Sequence, residues 1–292
     1  MSHNEYKDIK KFSTDVGISP EKLIEAFEVE KEFHTKILSE TSQEKRKELY
    51  ADVYQKVHKI YGKKERNILT DPNPKNISVK LFRKELENKS VLDVGCGEGF
   101  FLASIANQFE TEKLCGIDTS IAETSFQHPK IKFIQKNIVD FKLEEKFDVV
   151  ISDQVWEHIA PADIPEFINS LKNALNENST LILLVPNKLF GPSDVTRIFD
   201  YSCTGKIESR GTHLNETTYS ELIPFLEKEG FSNFRTLLPL PKVKQWVPKF
   251  RINPKFLILF EKSKLLMSLI YKLKFRGFPL LKTDVIIICK KN

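Results

Sequence analysis

The sequence predicts an α/β fold built on a largely parallel sheet, and three observations carry that prediction. From Ser90 onward, short apolar runs alternate with amphipathic helical stretches, the pattern of βα units. Every one of those runs is mostly apolar on both faces, as strands are when helices cover the two sides of a sheet. At Val91–Phe101 an apolar run containing Asp93 breaks into glycines at 95, 97 and 99 and then becomes apolar again, which reads as strand, tight turn and helix.

With 292 residues, 40% of them hydrophobic, the chain can hold one large domain with an appendage or two modest domains. Met1–Asp8 lacks an apolar signal-type run and no later stretch nears a charge-free spanning length, so a cytoplasmic location is expected. Cys96, Cys115, Cys203 and Cys289 are scattered without a C-x-x-C pair, which suits reduced thiols better than a disulfide frame or a zinc site. The formal charge of +5 hides an asymmetry: from residue 240 onward thirteen Lys/Arg face two acids, a net +11 that leaves −6 on the first 239 residues. This points to an anionic partner or surface for the C-terminal part, beside the commoner case of solvated lysines around an ordinary helix.

Residues 20 to 62 read as two helices, one with Ala26, Val29, Phe33 and Ile37 at 3–4 spacing, the other with Tyr50, Tyr54, Val57 and Tyr61. Ser19-Pro20 is a cap followed by proline at the first helical position, Thr41-Ser42 is a second start, and Gly62 with its lysine-rich run ends the pair. Asp71-Pro-Asn-Pro74 is a turn-rich connector. Residues 1–74 are thus expected to be a helical segment packed on a domain of residues 75–292, with site capping or dimerisation as further roles.

The strands follow in order: Val91–Val94, Leu114–Asp118, Ile131–Gln135, Phe147–Ser152, Leu181–Val185, Phe231–Leu238 and Thr283–Cys289. A helix over Phe100–Gln108 follows the first. Another after the fourth has Ile164, Phe167, Ile168, Leu171 and Leu175 on one face. Pro186–Leu214, long and irregular, is the expected substrate loop. Thr218-Tyr-Ser-Glu221 has capping-box spacing and opens a helix that stops at Gly230. The insertion Pro239–Leu281 holds two apolar helical runs edged by Lys262, Lys264, Lys272, Lys274 and Arg276. It is expected to be a lid over the substrate cleft with its lysines facing water, or else, through residues 250–276, to rest on a membrane or admit a lipid-linked acceptor.

The glycine turn lets backbone approach a ligand and leaves N–H groups unpaired at the start of the next helix, so a polar group is expected there. A dinucleotide fingerprint would need a glycine at Phe100, and a phosphate loop would need a Gly-Lys-Ser/Thr ending. The remaining pattern, Asp93 two residues before Gly95-Cys96-Gly97-Glu98-Gly99, resembles motif I of the class I S-adenosyl-L-methionine (SAM)-dependent methyltransferases. That resemblance implies a Rossmann-like seven-stranded sheet with SAM held by Asp93, Gly95, Cys96, Gly97 and Gly99. Asp118 ends the second strand 19 residues after Gly99, where a carboxylate beside Thr119 can accept from both ribose hydroxyls of NAD or SAM alike; its alternative is to cap the Thr119-Ser120 turn. Lys136-Asn137-Ile138-Val-Asp140 is similar to the family's Gly-Asp-x-x-Asp stretch, which implies adenine contacts at Asn137 and Ile138, with an amide replacing the acid; Asp140 is read as a turn residue.

Phe147-Asp-Val-Val-Ile-Ser-Asp-Gln-Val-Trp-Glu-His158-Ile resembles a segment of small-molecule methyltransferases of the type 11/12 group, among them the ubiquinone-biosynthesis O-methyltransferases. By that resemblance the backbone at Asp153 and Gln154 holds the amino-acid end of SAM. Prolines of the nucleic-acid amino-methyltransferase signature are absent from Asp153–Trp156, which argues against adenine-N6 methylation, and no nucleic-acid partner is favoured. Some ubiquinone-type enzymes bind a divalent ion with two glutamates and a histidine here. Gln154 stands at the first glutamate's place, an amide is a weaker ligand for a hard cation, and no metal is assigned. His158 and His213 are the candidate catalytic residues: His158 as a general base or else a structural histidine tying the start of the next helix to the sheet, His213 as a substrate contact or else a buttress of the helix start. The resemblance covers roughly residues 75–238 and the last strand. It implies methyl transfer to a small-molecule or lipid/glycan-linked acceptor, with oxygen the expected atom; a nicotinamide-dependent oxidoreductase and a non-catalytic scaffold of the same fold are the alternatives.

Overall fold

The computed structural model describes residues 5–62, 75–120, 129–275, 278–279 and 282–292. It opens with α1 (Ile9–Val16), a helix the sequence reading did not include, closed by Gly17 in the left-handed region at φ 67°. The two expected helices follow as α2 (Pro20–Ser39) and α3 (Gln43–Tyr61), each begun by a serine, Ser19 or Ser42, whose hydroxyl accepts a backbone N–H of the first turn. The expected connector at 71–74, the lysine-rich run before it and Arg276 lie outside the described residues.

Two short helices, α4 (Asn76–Leu81) and α5 (Arg83–Leu86), lead into β1 (Ser90–Val94) and α6 (Phe100–Gln108). Then come β2 (Lys113–Asp118), β3 (Ile131–Gln135), β4 (Phe147–Asp153), α7 (Ile164–Asn173), β5 (Leu175–Val185), α8 (Tyr219–Lys228) and β6 (Phe231–Arg235). The insertion forms α9 (Pro241–Trp246), α10 (Lys255–Lys262), α11 (Lys264–Lys272) and a minimal hairpin, β7 (Lys274–Phe275) with β8 (Phe278–Pro279), before β9 (Val285–Lys291). The main sheet has the order β3-β2-β1-β4-β5-β9-β6. Its first five strands are parallel, and β9 lies antiparallel between β5 and β6.

Two expectations are corrected. Leu175 begins β5 instead of ending α7: it pairs with Phe147, and a register shift then carries the strand through Asn176–Asn178, a polar stretch with Asn178 at φ 58° that masks it in the sequence. The edge strands β3 and β6 are not apolar on both faces; none of β3 is buried, because among the described residues no strand pairs along its outer edge, and Ile131, Phe133 and Ile134 pack only partly on the two cores.

One face of the sheet packs on α7, α8 and the N-terminal helices through Leu92, Val150, Phe167, Leu183 and Leu226, and the other packs on α4–α6 through Val79, Leu102 and Ile182. Phe33, Ile37, Tyr50, Val53 and Val57 join the first cluster, which welds α2 and α3 to the sheet. The weld includes a buried ion pair: Arg46 donates from Nε (2.9 Å) and Nη2 (2.5 Å) to the Asp163 carboxylate, which also accepts from the Tyr50 hydroxyl at 2.7 Å. A pair this well bonded offsets its own desolvation, whereas one partner left alone would not.

The Pro186–Leu214 segment is a packed structure with two short 3₁₀ turns, Lys188–Phe190 and Val195–Ile198. Ile198, Tyr201 and Cys203 pack with Phe12 and Phe27 of the N-terminal helices. From the insertion, Met267 and Ile270 pack on Phe190, and the Tyr271 hydroxyl donates to the Leu189 carbonyl at 2.9 Å. The insertion thus buttresses the loop. Its outer side is not purely lysine, however, since Phe256, Leu259, Leu265 and Leu269 are exposed there.

Candidate functional site

Strand order reverses between β1 and β4, and in open α/β sheets the crevice beyond the carboxyl ends at such a point is where ligands bind. The turn leaving β1 has Gly95, Gly97 and Gly99 at φ 78°, 50° and 77°. Gly95 and Cys96 both donate to the Ile117 carbonyl, at 2.8 and 3.1 Å, folding the turn over the end of β2. A Cβ on Gly95 would lie 2.3 Å from Val155 Cγ2, while one on Gly97 would meet nothing within 4 Å. The first glycine therefore serves close packing, and the second faces open space. Gly99 precedes α6 without a side-chain cap, and its own N–H is given to the Cys96 carbonyl at 2.8 Å. Cys96 is buried with its thiol against Gly116 of β2, and burial pushes its pKa up; its N–H is given to Ile117 and its carbonyl accepts Gly99 N–H, so the second lone pair of that carbonyl is what its backbone retains.

Asp118 is tied to the same turn: Oδ2 accepts from Gly97 N–H at 2.8 Å and Oδ1 from Ser120 N–H at 3.0 Å, with the Thr119 hydroxyl at 3.5 Å. It caps its own turn and clasps the glycine loop at once, and its half-buried carboxylate retains lone pairs for further donors. Asp93 is buried; burial, reinforced by Asp153, raises it to about 8. Asp153 pairs with Lys75 at 2.5 Å, a residue the sequence reading passed over. Gln154 has φ 60° and gives its N–H to the Leu184 carbonyl at 2.9 Å, so only its carbonyl and side chain remain available. Asn137 Oδ1 accepts Val139 N–H at 2.8 Å, which spends its oxygen on a local turn, and Ile138 packs on the core; Asp140 bonds Lys47 of α3 at 2.6 Å.

Beyond β4, a 3₁₀ turn over Trp156–His158 faces the loop. The Glu157 carbonyl accepts Leu214 N–H (2.6 Å) and Asn215 N–H (3.0 Å), and this stitch brings the two candidate histidines together. Their rings lie 4.8 Å apart at 84°. His158 Nδ1 is 3.1 Å from the Thr212 carbonyl, which can only accept, so Nδ1 carries the hydrogen and Nε2 is left as an acceptor. Burial, then the charge of His213, lowers His158 to about 3, and it stays neutral at working pH. His213 Nδ1 lies 2.8 Å from Glu216 Oε1. Burial opposes its charge, but the Glu216 hydrogen bond and the carboxylates of Asp194, Glu157 and Glu216 outweigh it and raise His213 to about 9. The Glu157 carboxylate is fully buried with neither oxygen hydrogen-bonded, and burial raises it to about 8 against the pull of His213.

Each of Glu157, His158 and His213 offers one ligand atom within 4.8 Å of the others, a carboxylate-and-two-imidazole set of the kind borderline divalent ions accept. A cation would first have to displace the His213 proton.

Helix α2 supplies a wall that the sequence reading missed. Glu30 Oε2 accepts Thr212 N–H at 3.0 Å, His34 Nδ1 lies 2.8 Å from the Gly211 carbonyl, and Asp194 Oδ2 accepts Gly211 N–H at 2.7 Å. A Cβ at Gly211 would fall 2.4 Å from Glu30 Oε2 and 2.7 Å from Asp194 Oδ2, so a larger residue there would push both carboxylates from their places. Burial and Asp194 raise Glu30 to about 7. Phe33, Ile37, Tyr54 and Leu214 line a narrow cleft that ends at His158, with the Tyr54 ring 5.7 Å from the imidazole. The available signal was an acid at position 30, four residues after Ala26 on the apolar stripe of a predicted helix.

A family model described as a methyltransferase domain matches residues 44–235. The ubiquinone biosynthesis O-methyltransferase of Rickettsia typhi is 28% identical over 115 residues, covering 38% of this chain and 46% of that protein. Carboxy-S-adenosyl-L-methionine synthase 1 of Yersinia pseudotuberculosis serotype IB is 24% identical over 168 residues, or 51% and 69% of the two chains. The chain spans about half the length of the ubiquinone-biosynthesis relatives it matches. Among solved structures, the plantazolicin methyltransferase in complex with a pentazolic desmethyl analogue and SAH is 19% identical, with a TM-score of 0.49 over 93% of this chain and 99% of that one.

Proposed function

The chain belongs to the methyltransferase-domain family, and from that membership we propose that it transfers the methyl group of SAM to the oxygen of a small-molecule acceptor, free or carried on a lipid or glycan. The reading is supported by the glycine turn clasped by Asp118, by the paired histidines His158 and His213 beyond β4, and by Tyr54, which lies within electrostatic reach of both Asp118 and Glu157. When bound, SAM supplies a methyl group already activated on a sulfonium.

Asp93, Gly95, Cys96, Gly97 and Gly99 hold the cofactor beside the start of α6. Asp118 with Thr119 takes the ribose, Asn137 and Ile138 border the adenine, and the Gln154 carbonyl with Asp153 meets the amino-acid end. With one lone pair of the Asn137 oxygen engaged by Val139 N–H, its amide N–H₂ and the second lone pair are the groups it would offer the base. Residues 1–74 act as part of the acceptor site within this arrangement, through Glu30, His34 and Tyr54, and the domain proper runs from 75 to 292 with its insertion at 239–281.

Orientation supplies much of the rate in such a transfer. As the new C–O bond forms, the acceptor hydroxyl becomes strongly acidic, so a weak base suffices: His158 Nε2 accepts that proton. The His213 imidazolium, held by Glu216, stands beside that base as a fixed positive charge and repels a cationic acceptor. This division of labour between a neutral and a charged imidazole supports oxygen over a cationic amine.

Calorimetry tests the reading directly. SAM should bind the purified chain and NAD should not, and Asp118→Ala should abolish the binding. Absence of SAM binding sinks the proposal, and binding without turnover on extracts from a deletion strain lacking one CH₂ increment would favour the scaffold alternative. Turnover is expected to survive chelation by EDTA; its loss would transfer the role of His158 to a bound cation.

A further inference from the structure

Among the described residues, eleven large apolar side chains are exposed, and nine of them fall between residues 246 and 273. The most exposed are Leu265 (81%), Trp246 (80%), Leu259 and Phe256, followed by Phe250 and Leu269. Helical spacing gathers them. Phe256, Leu259 and Phe260 share one face of α10, and Leu265 and Leu269 share one face of α11, which follows directly after Ser263. The other faces are occupied: Leu257 and Ile258 pack on the core, and Met267 and Ile270 pack on Phe190. Each helix therefore has two apolar faces, one covered by the protein and one bare.

The bare face is bordered by cations. Lys255, Lys262, Lys264, Lys272 and Lys274 are all exposed, while Lys249 lies within reach of Glu87 and is set apart from them. The single acid between residues 240 and 275, Glu261, is turned inward, where it accepts the N–H groups of Tyr219 and Ser220 at 3.0 and 2.8 Å. Aromatic and leucine side chains rimmed by uncompensated lysines are the make-up of a helix that lies in a lipid headgroup layer. A second copy of this chain would set the same lysines against one another, whereas anionic headgroups complement them.

We propose that the outer face of α10 and α11, with the Trp246–Phe250 turn of the same insertion, seats the protein on an anionic bilayer surface. The helices are too short to cross one; among the described residues no helix is long and apolar enough to do so. The inference stands apart from methyl transfer, and its test requires no turnover.

Cosedimentation of the full chain with vesicles of phosphatidylcholine and phosphatidylglycerol in equal parts, against vesicles of phosphatidylcholine alone, reads the interaction. The protein should pellet with the mixed vesicles only, and less so as salt is raised. Lys262→Glu with Lys264→Glu should lower the partition coefficient at least tenfold, since each lysine near such a surface is worth roughly fivefold. Leu265→Gln with Leu269→Gln should lower it comparably, and both variants should melt as the parent does because the replaced side chains are exposed. No pelleting with the mixed vesicles, equal pelleting with both kinds, or parent-like binding by both variants overturns the proposal. A dimer seen by light scattering that Leu265→Gln with Leu269→Gln abolishes, without lipid binding, overturns it in favour of a protein interface.

Discussion

Replacing Glu216 by Gln keeps the shape of the loop and removes the charge that holds His213 as an imidazolium. The amide oxygen can still accept the Ser193 N–H and Ser209 hydroxyl hydrogen bonds that the carboxylate accepts at 2.8 and 2.7 Å. His213 is raised from 6.5 to about 9, which at about 1.4 kcal/mol per unit is an upper bound of about 3 kcal/mol of linked stability. Asp194 and Glu157 contribute to that shift, so the share lost with Glu216 is about 1–2 kcal/mol. The folded pKa lies above the unfolded one. The stabilisation is therefore complete below pH 6.5 and disappears as the pH rises through about 9. Thermal denaturation should show the parent melting above Glu216→Gln by roughly 2–6 °C at the acid end, with the gap closing on the alkaline side. Glu30 and Glu157 titrate in the same window in both proteins, and comparing the two removes most of their contribution. The His213 imidazole titration followed by NMR should move toward the ordinary histidine range in the variant. A gap that is constant across this pH range, or an unmoved titration, would refute the assignment of His213 as a charge held by Glu216.

The turn glycines should separate packing from binding. Gly95→Ala drives a methyl into Val155 and should cost about 1–3 kcal/mol in denaturant titrations; Gly97→Ala meets no atom and should cost about 1 kcal/mol, yet weaken SAM binding by calorimetry more than its stability loss would suggest. Arg46→Ala strands the buried Asp163 carboxylate and should cost about 3–5 kcal/mol, whereas Arg46→Met with Asp163→Leu should recover much of it. A similar loss in the single and double variants would mean that the pair works through packing instead of charge.

The parts of the site that lie within one strand–turn–helix unit were legible in the residues. The glycines, Asp93 and Asp118 occupy a continuous stretch whose spacing dictates their geometry, and the Ser19, Ser42 and Thr218 caps were visible for the same reason. Three features were less legible. The start of β5 hid in a polar bulge, the direction of β9 hid behind the long insertion before it, and α1 was not read from its eight residues. Asn137 and Gln154 stood at the expected places, but backbone hydrogen bonds to Val139 and Leu184 decide which of their atoms remain free.

By itself the sequence determined the α/β class, the glycine cradle at residues 95–99 and the identity of the two histidines, because periodicity and local spacing act over a few residues. Only the tertiary structure decided that His158 is neutral and His213 charged. Those states depend on Thr212, Glu216, Asp194 and Glu157, residues up to 56 positions from the histidine they act on, and on a loop held in place by Glu30 of a helix 182 residues earlier. Burial and the field of groups brought close by folding set a proton's affinity, and no linear pattern encodes either.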